Sequence, residues 1–424
     1  MQIAPKQLLL TLIAGLLLIY VLGWSVIVSH LAGSPFSLPN IEPSTEFVHL
    51  SILFLSSFPY LSLVLVSLGI LIGIAGQMTT TPISFGQTSP THQISTNIDR
   101  LLLVIAVFLG AILVWIPRMI QTLPIGSDTL YYMSVVETTT REGIIWPILY
   151  TDKPLLYVML TGAQNLSGLS LIEFFRILPV ALSVGAVLSV WFFVKGFYSE
   201  AAGFSAIFTA LSTALMRTSI DLYASFIAMI FLFLFLGIYF RYRERKTQRL
   251  QILSQLLLVI LILCYWFVWL LAITIIIFAE LLSPRRIEKM RSLIQILIPS
   301  TLLMVTLFVV AITIPPPTYW GLGSSFALYL GKAVTPIGVI TYDTAALDQS
   351  NLSLLGQDNF IIPFLAAIGL LLLTPRSFPM KSIYLWSIFL LILSLVSTTG
   401  THAALLVPLP ALAGIGLRRL LELR

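Results

Sequence analysis

Asp128, Asp152, Lys153, Arg176, Arg217 and Asp221 are ionisable side chains in a chain of which only 9% of residues are charged. Asp128 follows Gly126-Ser127 in the stretch GSDTLYYMS, beside Tyr131 and Tyr132. Asp152 and Lys153 are neighbours and run directly into Pro154. Arg217 and Asp221 stand four residues apart, on one face if that stretch is helical. These types suit one chemistry in combination. A cation holds a phosphate oxyanion, and a carboxylate takes a proton from a hydroxyl. Each group also has a structural reading. Arg217 and Asp221 would make an ion pair. Asp128 would cap a helix over 129–141, since Asp is a favoured N-cap. Lys153 would snorkel to a headgroup. Tyr131 and Tyr132 would belong to an aromatic belt.

The surrounding chain decides how unusual such charges are. It has 424 residues, 58% of them hydrophobic, with mean hydropathy +1.01. A soluble domain carries roughly a quarter charged residues, so a water-soluble enzyme, a disordered chain and a disulfide scaffold are excluded. The net charge of +6 does not point to nucleic acid. The basic residues form short clusters between long apolar runs, the pattern of cytoplasmic membrane loops. The single cysteine, Cys264, lies inside an apolar run and reads as packing.

Apolar runs predict spans near 8–28, 50–76, 100–117, 173–194, 201–216, 222–240, 292–314, 359–374, 382–399 and 402–417. The first reads as a retained helix, not a cleaved leader. The run 250–282 is too long for one span. As a single helix it would reach about 50 Å, against a hydrocarbon core of about 30 Å. It is therefore expected as two short helices turning near Cys264–Trp266. The expected architecture is all-α: a polytopic bundle of about twelve spans. Charge agrees with that parity. With both termini inside, 17 of the 23 Lys and Arg fall in cytoplasmic segments and 11 of the 17 acids fall outside. The basic clusters are 241–249, 284–291, 375–381 and 418–424. Two outside loops, 117–175 and 315–358, are long enough to be functional. Segments 154–166 and 321–334 within them are expected as interfacial helices. All six ionisable residues above come to the outside surface.

The stretch from Asp128 to Tyr242 resembles the GT-C superfamily of membrane glycosyltransferases, in particular the family-39-like protein mannosyltransferases and the lipid A aminoarabinose transferases. Asp128 with Tyr131-Tyr132 stands where those enzymes have an Asp in the first outside loop. Asp152-Lys153-Pro154-Leu155 matches their Lys-Pro-Pro-Leu element, with Leu155 in place of the second Pro. Phe175-Arg176-Ile177-Leu178-Pro179 matches their Arg-Leu-Pro helix start, and Met216 through Asp221 their motif ending in Asp. The resemblance implies transfer of a sugar from a polyprenyl-phosphate donor to a hydroxyl acceptor at the extracytoplasmic face, with inversion. It implies Asp128 as catalytic base, with Asp221 in the catalytic pocket. Lys153 would bind the donor phosphate, helped by Arg217 or Arg176. Tyr131, Tyr132 and Asp152 would line the substrate pocket.

Residues 1–99 are expected as two additional transmembrane helices and a polar cytoplasmic loop, and 100–424 as a GT-C-like core without a soluble domain. The expected partners are a polyprenyl-phosphate sugar, membrane lipid and an acceptor of unknown kind, with no nucleic acid. No His/Asp/Glu cluster has metal-ligand spacing, so no metal is assigned, although a divalent ion remains open. Two rival functions are a transporter or lipid flippase and a non-catalytic subunit of a larger complex. Transporters carry internal repeats and ionisable groups near the midplane, whereas these charges gather at one face.

Overall fold

A computed structural model describes residues 96–120, 129–212, 223–282, 286–313, 361–373, 377–396 and 408–422. By its contacts the chain divides into Met1–Tyr60 and Leu61–Arg424, and every described residue belongs to the second unit. The expected spans 8–28 and 50–76, and the second outside loop with its segment 321–334, lie outside the described residues.

The described residues are helical, with no strand among them. In chain order the helices are α1 (Thr96–Ile120), α2 (Thr129–Glu142), α3 (Ile145–Tyr150), α4 (Pro154–Ser167), α5 (Leu171–Lys195) and α6 (Ala202–Leu211). Then follow α7 (Tyr223–Arg245), α8 (Gln248–Leu281), α9 (Arg286–Thr313), α10 (Ile361–Leu372), α11 (Phe378–Val396) and α12 (Leu409–Glu422). Five helices among the described residues are long and apolar enough to cross a membrane: α1, α5, α7, α8 and α9. The protein is a multi-pass, all-helical membrane protein. Helix α6 is shorter than its apolar run suggested: it has 10 residues, about 15 Å at 1.5 Å per residue, and ends at Ser212 in extended backbone. Helix α1 starts at Thr96, so the end of the expected polar loop is already helical.

Charge pairs define one end of the bundle. Lys195, in the last turn of α5, donates to Asp99 in the first turn of α1 at 3.0 Å, and Trp191 donates to the same carboxylate at 3.3 Å. Arg241 near the end of α7 donates to the Phe192 carbonyl of α5 at 3.1 Å and stacks on the Phe192 ring. Arg418 of α12 pairs with Glu200. Lys381 of α11 donates to the Leu282 carbonyl at 2.8 Å. Three of the basic clusters that are scattered in sequence, 241–249, 375–381 and 418–424, thus have members at one end of the bundle, as charge parity expects.

Helix α8 is the hairpin that bilayer thickness demanded. Its 34 residues would measure about 50 Å if straight. Yet Glu280, near its end, accepts two hydrogen bonds from Arg243, at 2.6 and 3.1 Å, and Arg243 lies five residues before α8 begins. The two halves must fold back on each other. The break is Tyr265, with φ −165° and ψ 97° between helical neighbours. It falls inside the window Cys264–Trp266 expected from sequence.

The anchor of this hairpin is buried. Glu280 is 1% exposed, accepts a third bond from Tyr239 at 3.1 Å, and its partner Arg243 stacks on Phe378 of α11. Removing one member of a buried pair costs about 3–5 kcal/mol. Glu280→Ala is therefore expected to lose about 3 kcal/mol of stability, because Arg243 retains some exposure. The double change Glu280→Leu with Arg243→Met should recover most of it. Thermal unfolding in detergent checks both; a single mutant as stable as wild type refutes the anchor.

On the other flank α10, α12 and α6 approach closely through small residues. A Cβ at Gly369 would strike the Leu412 carbonyl, and one at Gly416 the Leu365 carbonyl. Backbones in contact at this range need glycine, the usual device for helix pairing in lipid.

Candidate functional site

The end opposite the charge pairs is built from α2, α3, α4, the start of α5 and the start of α7. The described part of the first outside loop is therefore mostly helical: sequence expected an interfacial helix over 154–166 and, in the capping reading of Asp128, a helix over 129–141. The segment 154–166 is α4, which gains one residue. Its Pro at the first helical position has no amide to leave unpaired, and Gly168 ends it in the left-handed region at φ 66°. A capping box at Ser170 and Glu173 then starts α5: the Ser170 hydroxyl accepts from the Glu173 amide, and Glu173 accepts from the Ser170 amide.

An aromatic core holds these elements together. Tyr132 of α2, Tyr157 of α4, Phe174 and Phe175 of α5, and Tyr223 of α7 form one buried cluster with Leu156, Leu160 and Ile227. Tyr132 lies edge-on to Tyr223 with ring centroids 5.1 Å apart, and 6.0 Å from Tyr157. The Tyr132 hydroxyl accepts from the Ala224 amide at 3.3 Å, and the hydroxyls of Thr129 and Tyr223 are also 3.3 Å apart. The first residues of α2 and of α7 are thereby joined.

Lys153 is set by the geometry before it. The Thr151 hydroxyl and amide both donate to the Pro147 carbonyl, at 2.6 and 3.1 Å, which closes α3 and turns the chain outward in extended backbone. Asp152 and Lys153 follow as half-buried residues, and Lys153 becomes the N-cap of α4. Its ammonium donates to the Asp152 carboxylate at 2.9 Å. The same nitrogen stands 5.7 Å from the centroid of the Tyr265 ring. The bend of α8 therefore reaches the Lys153 end of the bundle. A fixed ammonium between a carboxylate and an aromatic face can accept an oxyanion in exchange for the carboxylate.

Of the residues singled out from sequence, the structure brings Asp152 and Lys153 together. Tyr132 is buried in the aromatic core at 5% exposure, whereas Tyr131 is 56% exposed and packs edge-on against Tyr132. Arg176 is half-buried in the second turn of α5, next to Phe175 of the core. Asp128, Arg217 and Asp221 lie outside the described residues. Among the described residues no three His, Cys, Asp or Glu gather as for a metal ion.

Two residues escaped sequence reasoning. Tyr265 was visible only as a turn; its nearness to Lys153 depends on the fold. Tyr157 had a signal, since it lies four residues after Lys153 and so on the same side of α4. It is fully buried, and its hydroxyl makes no hydrogen bond of good geometry. Burial above all, then the phenols of Tyr131 and Tyr132 and the carboxylate of Asp152, hold the Tyr157 phenol well above its usual range. It is a neutral O–H donor at every physiological pH.

No protein-family profile matches this chain, and no curated protein sequence matches it at a significant level. Solved structures do. The oligosaccharyltransferase of Archaeoglobus fulgidus, in complex with Zn and sulfate, superposes with TM-score 0.55 at 15% identity, over 76% of this chain and 49% of that one. The same archaeal enzyme, AglB, with an inhibitory peptide and a dolichol-phosphate, gives TM-score 0.52 at 14% identity over 77% and 50% of the two chains. Its form tethered to an acceptor peptide containing the NVT sequon gives 0.53 at 14%, over 77% and 50%. The chain spans about half the length of these structures. The likeness is one of fold: this chain shares the helical architecture of those structures.

Proposed function

We propose that this protein is a membrane glycosyltransferase that moves a sugar from a polyprenyl-phosphate-linked donor to a hydroxyl acceptor. The observation that carries this reading is Lys153. In a fold shared with an oligosaccharyltransferase that binds dolichol-phosphate, the one described Lys-Pro element holds its ammonium half-buried between Asp152 and the Tyr265 ring, at the end of the bundle away from the basic clusters. By the positive-inside bias the basic end is cytoplasmic, so both termini are cytoplasmic and the site is extracytoplasmic.

The chemistry follows from the residue types. Asp128 takes the proton of the acceptor hydroxyl, and the oxygen attacks the anomeric carbon. The bond from that carbon to the phosphate oxygen breaks, with its electron pair leaving on the polyprenyl phosphate. Lys153, with Arg217 or Arg176, stabilises the charge that develops there. In-line attack inverts the anomeric centre. Asp221 and Asp152 contact sugar or acceptor hydroxyls, beside Tyr131 and Tyr132. The Thr129–Tyr223 contact supports a shared pocket, because Asp128 directly precedes Thr129 and Asp221 lies two residues before Tyr223.

Purified protein in proteoliposomes, given polyprenyl-phosphate sugar and a hydroxyl acceptor, should release free polyprenyl phosphate as sugar is transferred. Movement of lipid across the bilayer without sugar transfer overturns the reading in favour of a transporter. The orientation has its own check. A cysteine placed at Lys246, in the exposed turn between α7 and α8, should resist a membrane-impermeant thiol reagent added to intact cells and react after permeabilisation. Labelling in intact cells refutes it.

A further inference from the structure

One aromatic side chain reaches Lys153 from a helix far along the chain. Tyr265 interrupts α8 with extended backbone, φ −165° and ψ 97°, while its neighbours Cys264 and Trp266 are buried in the bundle. Helix α8 packs against α4. The bend thereby brings the half-buried Tyr265 ring to the start of α4, its centroid 5.7 Å from the Lys153 ammonium. That is within range of a cation–π attraction, which strengthens as water is excluded. The Lys153 side chain is 17% exposed, so water is largely excluded from it.

The other partner of the ammonium leaves its place open. Asp152 and Lys153 are adjacent in the chain, between α3 and α4. Neighbours on one short connection can move together, and a Lys side chain carries much rotamer freedom. Tyr265 stands on a different helix and so refers the ammonium to the bundle. An arriving phosphate also competes with the Asp152 carboxylate for the same N–H donors. It does not compete with a ring face, which attracts the positive charge through its quadrupole. The ring therefore stays in contact while the carboxylate is exchanged.

We propose that Tyr265 is a positioning residue for Lys153: the ring face presented by the α8 bend holds the ammonium where it meets a phosphate oxyanion, and keeps it there as the oxyanion displaces Asp152. The proposal rests on the reading of Lys153 as the donor-phosphate ligand and adds the group that sets its place. It gives the break in α8 a purpose beyond fitting the chain to the bilayer. It also accounts for an aromatic at the break, where the turn alone needs only extended backbone that any residue adopts. Where fewer of the unliganded molecules have the ammonium in place, the apparent Kd rises in inverse proportion to that fraction.

The test titrates the full-length protein in detergent with geranyl phosphate. Tyr265→Leu is expected to bind about fivefold more weakly than Tyr265→Phe, the factor that a cation–π contact supplies. Tyr265→Phe keeps the ring and should stay within about twofold of wild type. Mono-, di- and trifluorophenylalanine at position 265 keep the shape of phenylalanine while drawing charge from the ring face, so the Kd should climb at each step. A ring that merely fills space at the bend gives a flat series. A ring that touches the phosphate itself gives the opposite slope, since an electron-poor face suits an anion. Either result overturns the proposal. If Lys153→Met weakens binding while the series stays flat, the Lys153 reading stands without this one. If wild type fails to bind geranyl phosphate, or Lys153→Met binds it as wild type does, both fail.

Discussion

Asp128→Asn is expected to leave the protein folded and to slow sugar transfer by about 10²- to 10⁴-fold, the usual cost of losing a general base. The substitution is chosen because it separates two roles that the sequence leaves together. Asp128 directly precedes Thr129, the first described residue of α2, where the capping reading puts it. Asn caps a helix about as well as Asp, so a capping residue would tolerate the change with nearly normal turnover. An amide cannot take the acceptor proton, so a catalytic base would not. The buried Thr129–Tyr223 contact ties the start of α2 to α7, which favours a folded variant. Turnover at fixed saturating donor and acceptor, with thermal stability in parallel, checks it. A folded Asp128→Asn protein with near-wild-type turnover removes the assignment.

Lys153→Ala should raise the apparent donor KM about tenfold or more. Charge-assisted contacts to phosphate are worth roughly 1.5–3 kcal/mol, and 1.4 kcal/mol is a factor of ten. The structure sharpens the expectation. Lys153 is held from two sides, by Asp152 and by the Tyr265 ring, so its ammonium is already positioned when the phosphate arrives and little ordering remains to be done. Lys153→Arg keeps the charge but replaces a compact ammonium by a larger planar group, and should recover only part of the loss. If Lys153→Ala retains wild-type donor affinity, the phosphate is held elsewhere. Lys332, in the second outside loop, is then the next cation to test.

The sequence by itself determined that this is a multi-pass helical membrane protein and where its longest apolar run must break. Bilayer thickness and the rise of an α-helix forced the break in 250–282, and Tyr265 lies where that argument put it. The segregation of Lys and Arg set which ends share a surface, and the pairs of Lys195, Arg418 and Lys381 do gather at one end. Helix α4 was legible because Pro at its start and an apolar periodic run are local signals. Hydropathy and charge act along the membrane normal, so they report depth and side. They carry nothing about position within the membrane plane. Which helix stands beside which, and which face each presents, is decided by side-chain packing between residues distant in the chain. Only the tertiary structure therefore placed the α8 bend against Lys153, buried Tyr132 in the aromatic core while leaving Tyr131 exposed, and buried Tyr157 one helical turn beyond Lys153.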